Sequence, residues 1–142
     1  MIGAICLLAS ACSQQSEPLR VDVFKHRSTE LVSHDAAMVR GDQNYVMYGL
    51  VSDSEREASI GHYYTISRSD TTYPAMVKFS YLQAATQSKV LEKRAHLPAG
   101  AKVAEFNFIG EEFAKKGKVL AWRVDLLEDK KVIATEKSFM WE

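Results

Sequence analysis

Histidine, cysteine, serine and tyrosine are the residues here whose types could do chemistry, and their spacing decides how far each can be taken. His26, His34, His62 and His96 are scattered along the chain. None forms the HxH, HxxxH or HExxH spacing that sets two imidazoles on one face of a strand or helix. No metal site is expected from them. The serines stand in no GxSxG or SxxK context, so an activated hydroxyl would have to be assembled from distant residues. Glycine occurs seven times without a GxGxxG or GxxxxGK[ST] run, which leaves a nucleotide without a backbone cradle. Glu111-Glu112 imitates a carboxylate pair, but adjacent acids at the start of a helical turn are explained by the helix dipole. We therefore expect no enzyme and no cofactor.

Tyrosine is the more informative type. Tyr45, Tyr48, Tyr63, Tyr64 and Tyr73 fall within residues 45–73. Successive strand residues point to opposite faces, so Tyr63 and Tyr64 cannot both face a core. Together these tyrosines form a candidate binding face for a sugar ring or a protein partner. The competing reading is plain core packing.

Both cysteines, Cys6 and Cys12, lie in the first twelve residues. The rest of the chain can hold no disulfide and no thiolate zinc site. Residues 1–11 are apolar enough for the central region of a secretory signal and too few to span a bilayer. Ala9-Ser10-Ala11 fits a signal-peptidase site. No Lys or Arg precedes Arg20, and we expect the true start to lie upstream. The stretch "LLASAC" resembles the lipobox of bacterial lipoproteins, with Ser10 and Ala11 in place and Ala9 where leucine is commoner. That resemblance implies cleavage before Cys12 and acylation of its thiol. Ordinary secretion would cut the same bond but would leave an unpaired terminal thiol. Residues 13–19, "SQQSEPL", read as a polar linker reaching at most about 25 Å.

The elements that would carry these residues are mostly short strands between turn signals. Strands are expected at 21–26, 44–52, 62–69, 76–83, 89–97, 102–109, 118–127 and 131–141, with an undecided stretch over 28–43. In "MVKFSYLQ", Val77, Phe79 and Tyr81 share a face; in "KVAEFNFI", Ala104, Phe106 and Phe108 do. In "KVLAWRVDLL", Leu120, Trp122, Val124 and Leu126 are expected inside, with Arg123 and Asp125 in water. "GEEFAKKG" reads as a helical turn ended by Gly117 and pinned to the core by Phe113. The last strand alternates irregularly, which suggests a bulge, with Phe139 buried and Trp141 near the rim.

Length and composition fit one domain. The chain has 142 residues, 46% hydrophobic and 25% charged, with 18 basic and 18 acidic side chains. Zero net charge offers no groove for nucleic acid. We expect a signal peptide at 1–11, a lipidated Cys12 with linker at 12–19, and an all-β domain at 20–142. Seven or eight strands at this spacing predict an antiparallel two-sheet sandwich, with a small barrel as the alternative. The layout resembles the immunoglobulin-like sandwiches of envelope proteins, without a Cys…Trp…Cys pattern or a tyrosine after Tyr81. "VLAWRVDLL", "VIATEKSFMWE" and "GHYYTISRSD" also resemble bacterial lipoproteins of unassigned function. The expected protein is exported, anchored to a bacterial envelope membrane through Cys12, and non-enzymatic. It would bind an envelope protein, or alternatively a glycan; a hydrolase without a recognisable motif is the third reading.

Overall fold

A computed structural model describes residues 17–27, 37–86 and 88–141. Cys12, the segment 1–11 and most of the linker lie outside the described residues, as does His34. Within them the chain forms β1 (Leu19–His26), α1 (Ala37–Met47), α2 (Asp53–Ala58), β2 (Gly61–Arg68), β3 (Ala75–Gln83), β4 (Leu91–Leu97), β5 (Val103–Ile109), α3 (Gly110–Lys116), β6 (Val119–Glu128) and β7 (Lys131–Lys137). All pairings are antiparallel. They build one sheet ordered β1-β2-β5 and a second ordered β4-β3-β6-β7. The fold is thus a two-sheet β-sandwich, and among the described residues no closed barrel forms.

Strict alternation produces the core. Tyr64, Ile66, Phe106 and Phe108 project from the first sheet, and Val77, Phe79, Val124 and Leu126 from the second; all are buried. Their rings interlock across the layer: Tyr64 lies 4.8 Å from Phe79, and Tyr81 4.6 Å from Phe108. Such aromatic pairs each add about 0.5–1.5 kcal/mol beyond the area they bury. At the end of β6, Asp129 and Lys130 adopt φ of 49° and 63°. Positive φ at both central residues is what a tight two-residue hairpin requires. β7 then carries a bulge at Ile133, because Leu126 pairs with Ala134 while Leu127 pairs with Val132.

Several expectations are corrected. Residues 44–52 are not a strand: Asn44–Met47 close α1, and the chain turns at Gly49, φ 80°. Gln43, Val46, Met47 and Leu50 are the buried or half-buried positions, and their i, i+3, i+4, i+7 spacing is helical. Ser52 does not end a strand but caps α2. Its hydroxyl accepts from the Glu55 amide while Glu55 accepts from the Ser52 amide, a capping box. Leu120 is exposed, because β6 bulges there: Leu82 pairs with Ala121 but Gln83 with Val119. Asp125 lies on the outer side of its sheet yet is buried, accepting from Thr135 Oγ1 at 2.7 Å and Arg123 Nε at 3.1 Å. Phe139 is fully exposed. Ser138 ends the strand by bonding to Trp122 through both its amide and its hydroxyl, so alternation no longer governs the residue after it.

Candidate functional site

The five tyrosines do not form one face. Tyr64 is buried in the core, where burial pushes its phenol well above the ordinary range. Tyr73 is exposed in the β2–β3 connection, and its carbonyl accepts from Arg68 Nη1 at 2.6 Å. Tyr48 is exposed just beyond α1. Only Tyr45 and Tyr63 come together. With Phe24 and Val46 they border a hollow of about 80 Å³ on the outer side of the first sheet, flanked by Asn107 and Glu105. Tyr63 is held there by a hydrogen bond from its hydroxyl to the Ser59 carbonyl. The hollow is well below the 300–1,000 Å³ of ordinary small-molecule sites.

A larger cleft of about 380 Å³ opens at the end of the sandwich where β1 finishes and β6 begins. Its apolar lining is Ile60 and Phe113; its cationic lining is Lys25, Arg27 and Lys118. His26 and His62 complete it, and both imidazoles are buried. Strand register explains the gathering. Lys25 stands opposite His62, and His26 opposite Gly61, while Gly110 and Gly117 turn α3 so that Phe113 reaches the His62 ring at 5.3 Å. Among the described residues neither ring nitrogen of His26 has a hydrogen-bond partner, nor does Nδ1 of His62. Burial, reinforced by the charges of Lys25, Lys118 and Arg27, lowers His62 from the ordinary 6.5 to about 4. Burial alone lowers His26. Among the described residues, no group of three His, Cys, Asp or Glu side chains is placed to hold a metal ion.

A further hollow of about 550 Å³ lies on the outer side of the second sheet, lined by Met76, Arg94, His96 and Leu127. It lacks the buried unpartnered imidazoles of the cleft. Residue types alone single out the tyrosines; the cleft joins positions 25 to 118, and only the register of β1 on β2 and the placing of α3 bring them together.

These features define a small antiparallel β-sandwich with a cationic cleft at one end. Comparison with protein-family models, with characterised proteins and with solved structures found no match.

His62 makes stability depend on acidity. Its folded pKa lies below its unfolded value, so the unfolded chain takes up more protons between about pH 6.5 and 4, and stability falls as pH falls through that window. A shift of this size corresponds to about 3 kcal/mol. Urea unfolding at pH 7 and pH 4.5 should show that His62→Phe loses markedly less stability on acidification than the wild type. Equal losses in the two proteins would remove His62 as the cause.

Proposed function

We propose that this chain is a lipid-anchored bacterial envelope protein whose β-sandwich binds another envelope protein. One observation carries the reading: an exposed apolar patch at the end of the domain remote from the linker. Ser138 is bonded to Trp122, so the exposed Phe139 and Met140 follow the end of β7 where it meets the start of β6, which carries the bulged, exposed Leu120. Isolated exposed apolar residues are ordinary, whereas grouped ones mark interaction surfaces. Leu19 begins β1 at the opposite end, so a tether through Cys12 would hold this patch about 25 Å further out. That is the geometry a membrane-tethered protein needs to reach a partner. A glycan reading draws on Phe24, Tyr45 and Tyr63 beside the Asn107 carboxamide, but the small hollow there favours it less.

Two measurements test this function. Cys12→Ser should abolish membrane partitioning, and the wild type should carry an acyl mass on Cys12. A variant that still partitions, with no acyl mass on the wild type, would overturn the anchor. Crosslinking and pull-down from native envelopes should recover a protein partner, and Leu120→Ser with Phe139→Ser should lose it while the melting temperature holds. Recovery of glycan alone, or of nothing, would overturn the binding role.

A further inference from the structure

The cleft between β1, β2, α3 and β6 holds a combination that the proposed protein-binding role does not use. We infer that it is a binding site for a phosphate group carrying an apolar substituent. Three cationic side chains from two distant stretches, Lys25 and Arg27 at the end of β1 and Lys118 just before β6, line the same opening. Among the described residues none of them is ion-paired. Grouping three positive charges around buried imidazoles costs free energy unless an anion offsets it. Buried polar atoms in folded proteins are nearly always hydrogen-bonded, so His26 Nδ1, His26 Nε2 and His62 Nδ1 call for a ligand or water that meets them.

The chemistry of the lining selects the ligand class. A neutral imidazole has one N–H donor and one acceptor nitrogen, ammonium groups donate only, and a guanidinium donates in a planar fork. These donors converge best on a group with several acceptor oxygens and more than one negative charge. A phosphomonoester dianion meets that requirement; a single carboxylate leaves two cations uncompensated. Ile60 and Phe113 supply the apolar part of the lining, where an alkyl or aryl substituent can pack. The same reasoning couples the ligand to His62: an anion in the cleft offsets the cationic field acting on the imidazole and makes its protonation easier.

The probe is phenyl phosphate, titrated into the full chain at neutral pH and followed by calorimetry and by the His26 and His62 ring resonances. Saturable binding is expected, with both imidazole signals moving. Inorganic phosphate should bind several-fold more weakly for want of the ring, and benzyl alcohol should not bind. Arg27→Gln and Lys118→Gln, both at chain positions outside the core, should each weaken phenyl phosphate about tenfold with an unchanged melting temperature. Lys130→Gln, beside a different hollow, should have no effect. Vesicles containing phosphatidic acid distinguish the source of the group. Binding to them and not to phenyl phosphate assigns the site to a lipid headgroup; the reverse assigns it to a soluble phosphomonoester. Absence of saturable binding to both, or equal affinity in the Arg27 and Lys118 variants, overturns the site. The measurement needs neither acylation nor a protein partner, so its outcome is independent of the anchor and the apolar patch.

Discussion

Replacing Arg68 by alanine is expected to destabilise the domain by about 3–5 kcal/mol, which for a chain of this size lowers the melting temperature by about 10 °C or more. Arg68 is 1% exposed, yet among the described residues no carboxylate pairs with it. Instead Nε donates to the Ala101 carbonyl at 2.8 Å, Nη1 to Tyr73 at 2.6 Å and Nη2 to Pro98 at 3.0 Å. One side chain thereby ties the end of β2 to the β2–β3 connection and to the β4–β5 turn. Hydrogen bonds to a charged donor are each worth about 1.5–3 kcal/mol, and removing the donor strands three carbonyls in a dry place. Arg68→Lys should fall between the wild type and alanine, because an ammonium lacks the fork that spans three directions. Arg68→Met keeps most of the volume, so a loss close to that of alanine would attribute the effect to the carbonyls and not to the cavity. Urea unfolding of the three variants checks the order. A loss under 1 kcal/mol in Arg68→Ala would show that the three bonds contribute little.

Gly61→Ala is expected to be at least as damaging. A Cβ placed on Gly61 would sit 2.0 Å from the Phe108 carbonyl oxygen and 3.0 Å from the Ile109 Cα. Both are backbone atoms of the paired strand β5, so no rotamer change relieves the clash. Gly61 also has φ of 156°, which an L-residue adopts with strain. A strand glycine commonly marks close backbone approach; here it lies between His26 of β1 and Ile109 of β5. The substitution must push β2 from β5 or shift its register, and either would disturb His26 and His62 in the cleft. The expected result is loss of cooperative unfolding, or destabilisation of about 4 kcal/mol or more. Gly41, which among the described residues meets nothing within 4 Å, is the control: Gly41→Ala at this exposed position of α1 should be neutral or slightly stabilising. Similar melting temperatures for Gly61→Ala and the wild type would refute the steric reading.

The two substitutions also mark how far residue order reaches. Strands β3 and β5 and most of β6 were legible because the period of two is a local property: Phe79, Phe106 and Val124 go inside by parity alone. The same parity, continued through His62, Tyr64 and Ile66, puts Arg68 on the inner side, so its burial had a readable signal. What it would bond to had none, since its three acceptors come from turns up to 33 residues away. Only the last turn of α1 reads as a strand, because Tyr45, Val46 and Tyr48 carry β-type composition, while the weaker helical spacing through Gln43 and Leu50 wins in the fold. The bulge that expels Leu120 cannot be read from alternation, because it is set by the register between two strands.

Composition and spacing settled the all-β class, the strand faces and the absence of cysteine beyond Cys12, all of which depend on neighbours in the chain. Tertiary structure alone decided that Tyr64 is core while Tyr45 and Tyr63 share a hollow. It also decided that Leu120 and Phe139 stand on the surface, and that two histidines and three cations meet in one cleft. Those outcomes follow from strand register, bulges and the packing of helices on sheets, which are interactions between residues far apart in the chain and leave no local pattern to read.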